Sequence, residues 1–60
     1  MSYVIIATFQ DSLFISGLAS STSNKKEALE FENKGIAYDF MQIIAENDRA
    51  FKIDKWRVEK

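Results

Sequence analysis

Near the end of the chain, Phe51, Lys52, Lys55, Trp56 and Arg57 interleave cations with aromatic rings. Ammonium and guanidinium groups bind phosphates or carboxylates, and an open ring gives a base or an apolar side chain a surface to stack on. Together with Tyr3 from the start of the chain, Lys52, Lys55, Trp56 and Arg57 make the candidate interaction surface. A plainer reading also fits these residues. The segment is then a terminal strand whose rings are core and whose lysines guard an open edge against aggregation.

The middle of the chain has the opposite charge. Glu27, Glu30, Glu32, Asp39 and Glu46 form an acidic block. Such a block can imitate a phosphate backbone and occupy a DNA-binding groove on another protein, or it can be an ordinary solvated face. It also weighs against a nucleic-acid role for the basic end, because it repels the same polyanion unless it lies on the opposite face. The net charge of −1 adds no global attraction to nucleic acid.

Catalytic chemistry has little to work with. The chain has no histidine and no cysteine, so disulfides and the usual zinc and copper ligand sets are excluded. Serines are plentiful, but none sits in a Gly-x-Ser-x-Gly elbow, and no lysine stands at a spacing that supports a serine–lysine pair. Gly17 and Gly35 are isolated, so no phosphate-cradling loop exists. Glu30 and Glu32 share a strand face and mimic a carboxylate pair, yet glycoside hydrolysis needs both carboxylates in a cleft. The expectation is a protein that is not an enzyme and has no cofactor.

The elements that must position these residues follow from apolar periodicity. Residues 3–9 are apolar at both parities, with Tyr3, Ile5, Ala7 and Phe9 on one face and Val4 and Ile6 on the other. Such a strand is central, or is covered on both faces. Gln10-Asp11-Ser12 predicts a turn, and residues 13–19 return as a second strand in which Gly17 marks a bulge or a close backbone approach. Ser20–Lys26 is rich in small hydroxyl side chains that compete for backbone hydrogen bonds, which predicts a mobile loop.

Residues 27–33 read in two ways. Leu29 and Phe31 alternate with Ala28, Glu30 and Glu32 as in a strand, here residues 28–32; Asn24 and Glu27 instead resemble a capping box at a helix start. The alternation favours the strand. Asn33 is a good N-cap for a helix over residues 34–47, with Ile36, Ala37, Phe40, Met41, Ile43 and Ile44 at helical spacing. Residues 50–58 alternate again but slip. Phe51 and Ile53 have one parity, Trp56 and Val58 the other, and a bulge near Asp54-Lys55 would return all four to one face.

The run from Glu27 to Asn33, with Ala37 and Phe40 entering a helix, resembles a pattern in small phage-encoded proteins of Gram-positive bacteria. Those proteins have a short hairpin, a further strand, a helix and a last strand. The resemblance implies a role in binding or inhibiting a host or mobile-element protein, and it carries no functional residue over.

The expected fold is therefore α+β. One domain over residues 1–60 has a small, mainly antiparallel β-β-β-α-β sheet with one helix packed on one face. A right-handed crossover would set the last strand parallel to the third and beside the first. Phe31, Phe40 and Ile44 are the expected core. The expected partner is an unidentified protein, and a homodimer is also expected, because one helix leaves the second apolar face of the first strand open. Nucleic acid is the alternative partner. The run from Tyr3 to Phe9 is much too short to span a bilayer, so no membrane role is expected, and the location is expected to be cytoplasmic.

Overall fold

A computed structural model describes residues 2–60. The first strand, β1, is Val4–Ala7; β2 is Phe14–Gly17, β3 is Ser20–Thr22, α1 is Lys34–Asn47 and β4 is Trp56–Glu59. The strands lie in the order β3-β2-β1-β4, with every neighbouring pair antiparallel. The single helix packs across one face, so the α+β class read from the sequence holds. The doubly apolar first strand is central, and the last strand lies beside it.

Three details differ from the expectation. The third strand is Ser20–Thr22, not residues 28–32. The turn at Leu18-Ala19 is short enough for the chain to fold straight back onto β2, and a register shift between Ile15 and Gly17 accommodates it. The serine-rich segment expected to be a loop thus supplies an edge strand, with Ser16 and Ser20 hydroxyls 2.9 Å apart. A Cβ on Gly17 would lie 2.8 Å from the Ser20 hydroxyl oxygen, so Gly17 combines a bulge with a close approach. Gly17→Ala should displace that hydroxyl and cost about 1 kcal/mol, measured by urea denaturation.

Residues 28–32 are extended but form only one bridge, Tyr3 with Phe31. They wedge between β2 and the start of β1. Leu29 N–H donates to Ile15 O at 3.0 Å, and Tyr3 and Phe31 exchange backbone bonds of 2.8 and 2.9 Å. The predicted alternation survives. Leu29 and Phe31 pack on the helix side, and Ala28 is buried on the other. This extra pass also sets the direction of the end of the chain. Residues 28–32 bridge to Tyr3 in the antiparallel sense and β4 also opposes β1, so β4 runs parallel to residues 28–32, as expected, while it is antiparallel to β3.

The parity slip in the last segment is absorbed by a single 3-10 turn, Ile53–Lys55, instead of a bulge. Strand structure therefore starts at Trp56, not at residue 50. The outcome matches the purpose of the expected bulge, since Phe51, Ile53, Trp56 and Val58 all pack on one cluster.

That cluster is the main core, made by Ile5, Ile15, Ala37, Met41 and Ile44 between helix and sheet. Ile44 is buried as expected, while Phe31 and Phe40 are half-buried at the edge with ring centroids 5.4 Å apart. Only the Ala37, Met41 and Ile44 stripe of α1 is buried; Ile36 and Ile43 on its flank stay open. Asn33 caps the helix, its side-chain oxygen accepting from Ile36 N–H at 2.9 Å. Removing it, Asn33→Ala, should lower stability by about 1 kcal/mol in thermal unfolding.

The far face of the sheet is covered within the chain. Val4, Phe14 and Ala28 are buried there, with Ile6 packed against them. Asn24 caps a 3-10 turn at Lys25–Glu27, which delivers Ala28 to this face. The apolar face that motivated two-fold packing is thus closed by the chain itself, and that argument for a homodimer falls away.

Candidate interaction cleft

Trp56 is the centre of the site. It opens β4 opposite Ala7, the smallest side chain of β1, which leaves room for a large ring on the helix side. Phe51 stacks on Trp56 with centroids 5.7 Å apart and planes at 16°. Phe9, just beyond the end of β1, meets Trp56 edge-on at 5.8 Å and 88°. Offset-stacked and edge-to-face arrangements are both favourable for aromatic pairs.

The backbone that carries these rings is held by local bonds. Asp48 Oδ1 accepts from Ala50 N–H at 2.9 Å, and Phe51 N–H donates to Asp48 O at 3.1 Å. Lys55 O accepts from both the N–H and the hydroxyl of Thr8, at 2.8 and 3.0 Å, which pins the turn to the end of β1.

Phe9, Asp48, Ala50, Phe51, Lys52, Lys55 and Trp56 line a cleft of about 470 Å³. A second hollow of about 230 Å³, running toward Leu18 and the β2–β3 turn, shares Asp48, Phe51 and Trp56 with it. Phe9 and Leu18 are 58% and 53% exposed, so rings and aliphatic carbons stand open to solvent along this path. The two lysines outnumber the single carboxylate, and the rim is cationic. Lys55 N–H donates to Lys52 O at 2.9 Å, closing a 3-10 turn in which residues three apart project to the same side.

Of the residues singled out from the sequence, Lys52, Lys55 and Trp56 come together here. Arg57 does not join them. Strand alternation turns it to the far face, where its Nη2 lies 2.7 Å from Glu59 Oε2. Tyr3 is also separate. It lies beyond the other end of β1, four positions from Ala7, or about 13 Å along the strand. Phe9 and Asp48 belong to the cleft but were not among the candidates. Phe9 shares the parity of Ala7 and precedes the turn, and that was the available signal.

The acidic residues of the middle of the chain are exposed, and Glu27 accepts a hydroxyl bond from Thr22 at 3.1 Å. Among the described residues no three carboxylates gather as a metal-holding group, and no helix is long and apolar enough to cross a membrane. The molecule is a small α+β protein with an aromatic, cation-rimmed cleft at one end of its sheet. No protein-family model matches the chain, and comparison with curated proteins and with solved structures finds no match.

Proposed function

We propose that this chain is a non-enzymatic protein-interaction module whose cleft receives apolar and acidic side chains of another protein. The observation that carries the reading is the aromatic group of exposed Phe9 and half-buried Trp56 and Phe51 beside Lys52 and Lys55. Tryptophan and other aromatic anchors in a pocket, surrounded by a charged rim, are the composition of binding hot spots. The resemblance to small phage-encoded proteins supports an accessory role, the binding or inhibition of a host or mobile-element protein. Absent cysteine fits a reducing, cytoplasmic setting.

A second reading is a small nucleic-acid-binding protein, with a base stacked in the cleft and phosphates on the two lysines. Trp56 favours it. The position of Arg57, turned away and paired with Glu59, disfavours it, because the cleft then carries two cations against Asp48.

One experiment separates these readings. Tagged protein and a Phe9→Ala/Lys55→Glu variant are used as baits in nuclease-treated lysate of a Gram-positive host, and both are titrated with mixed single-stranded DNA and RNA. Both substituted side chains are exposed, so the variant should fold. The expected result is a protein retained by the parent and lost by the variant, with negligible oligonucleotide binding. Oligonucleotide binding that weakens steeply with salt would instead establish the second reading.

A further inference from the structure

We infer that β4 is a self-complementary edge through which two copies of this chain pair as antiparallel strands, centred on Val58. This surface lies outside the cleft, and the inference holds whatever partner the cleft receives. The strand order leaves β4 at one edge of the sheet. Its hydrogen-bonding phase is fixed by the bond from Thr8 N–H to Lys55 O and by the register Ile6 with Arg57 and Val4 with Glu59. Along an antiparallel strand, backbone groups alternate between the two edges. Lys55, Arg57 and Glu59 therefore turn their backbone groups toward β1. The C=O of Trp56, both groups of Val58 and the N–H of Lys60 face outward.

Trp56 N–H is already held by Ile53 O, and among the described residues no bond from another element reaches Val58 N–H or C=O. The outward groups are the right set for a second strand. Val58 can exchange both its bonds with Val58 of a second copy, and each Lys60 N–H can donate to the Trp56 C=O opposite.

Charge selects this register over its neighbours. Centring on Val58 sets Arg57 directly across from Glu59 of the second copy, and Glu59 across from its Arg57. The Arg57–Glu59 pair already made within one chain, at 2.7 Å, becomes a ring of four alternating charges on the far face. Moving the centre by one residue, a register shift of two, places Arg57 opposite Arg57 in one direction and Glu59 opposite Glu59 in the other. Like charges directly opposite are destabilising in a sheet, and opposite charges are favourable. Lysines 55 and 60 flank the strand without opposing each other in the chosen register. The other edge strand, β3, has only the uncharged side chains of Ser20, Ser21 and Thr22 and offers no such selection.

The paired stretch is short, so association should be weak, with a dissociation constant of about 0.1–1 mM. It is read by following the rotational correlation time and amide exchange of the protein by NMR over a concentration series. The expected result is a correlation time that rises with concentration, with Val58 and Lys60 amides gaining protection while the Arg57 amide, bonded within the chain, does not change.

Two charge variants keep the test independent of folding. The Arg57→Glu chain and the Glu59→Arg chain each place like charges across the pairing, and each alone should associate about tenfold more weakly. Mixed together they restore opposite charges at both positions, and association should return. A parent protein that stays monomeric up to about 2 mM overturns the inference. So does association of either variant alone that equals the parent, or a mixture that associates no better than its components.

Discussion

Ile5→Ala is expected to leave the chain largely unfolded at 25 °C. Ile5 is fully buried at 0% exposure, in the central strand, between the helix residues Ala37, Met41 and Ile44 and the rest of the sheet. Truncating a buried isoleucine to alanine costs about 2–5 kcal/mol, the loss of transfer free energy plus the cavity left behind. A single core in a chain of this size supplies roughly 3–5 kcal/mol in all. Far-UV circular dichroism and a thermal scan check this. A cooperative transition within a few degrees of the parent's would show that Ile5 is not the centre of the core.

That core was legible in part: of Phe31, Phe40 and Ile44, expected there, only Ile44 is buried, but the central strand could be read for a physical reason. Val4, Ile5 and Ile6 are apolar at both parities, which only a strand covered on both faces tolerates, and β1 is such a strand. Asn33 announced the helix start because a side-chain oxygen there satisfies an otherwise unpaired N–H. The parity slip between Ile53 and Trp56 signalled an inserted residue, and the 3-10 turn supplies it. The third strand was not legible. Ser20, Ser21 and Thr22 sit on an exposed edge and bury nothing large, so no apolar period marks them, and hydroxyl residues favour loops as readily as edges. Residues 28–32 showed a strand's alternation without forming one, because alternation reports which side each residue packs on, not whether the backbone finds a partner along its length.

The cleft was half legible. Lys52, Lys55 and Trp56 were marked by type, and the turn that joins them depends on a backbone bond that composition does not reveal. Phe9 was hidden by its own strand pattern. Its parity matched Ile5 and Ala7 and implied core, yet β1 ends before it and leaves it open. Arg57 could have been separated from Trp56 by alternation alone, since adjacent residues of one strand face opposite sides.

The far face gives the other large expected effect. Phe14→Ala should cost about 3–5 kcal/mol, as for a buried phenylalanine, and should unfold the protein in the same thermal scan. Phe14 is only 7% exposed, packed with Val4 and Ala28 on the side of the sheet away from the helix. The helix does not cover it; Ala28 does, at the start of the wedge that follows the 3-10 turn at Lys25–Glu27. If that cover were loose, Phe14 would be a surface ring and its loss nearly neutral. Phe9→Ala is the internal control, because Phe9 is 58% exposed and loses little beyond its edge contact with Trp56, about 1 kcal/mol. Equal small losses for Phe14→Ala and Phe9→Ala would mean that the chain leaves its second face open to solvent. A large loss for Phe14 with a small one for Phe9 would establish that both faces of the sheet are closed by this one chain. Its apolar surface is then concentrated along the cleft and the flank of α1.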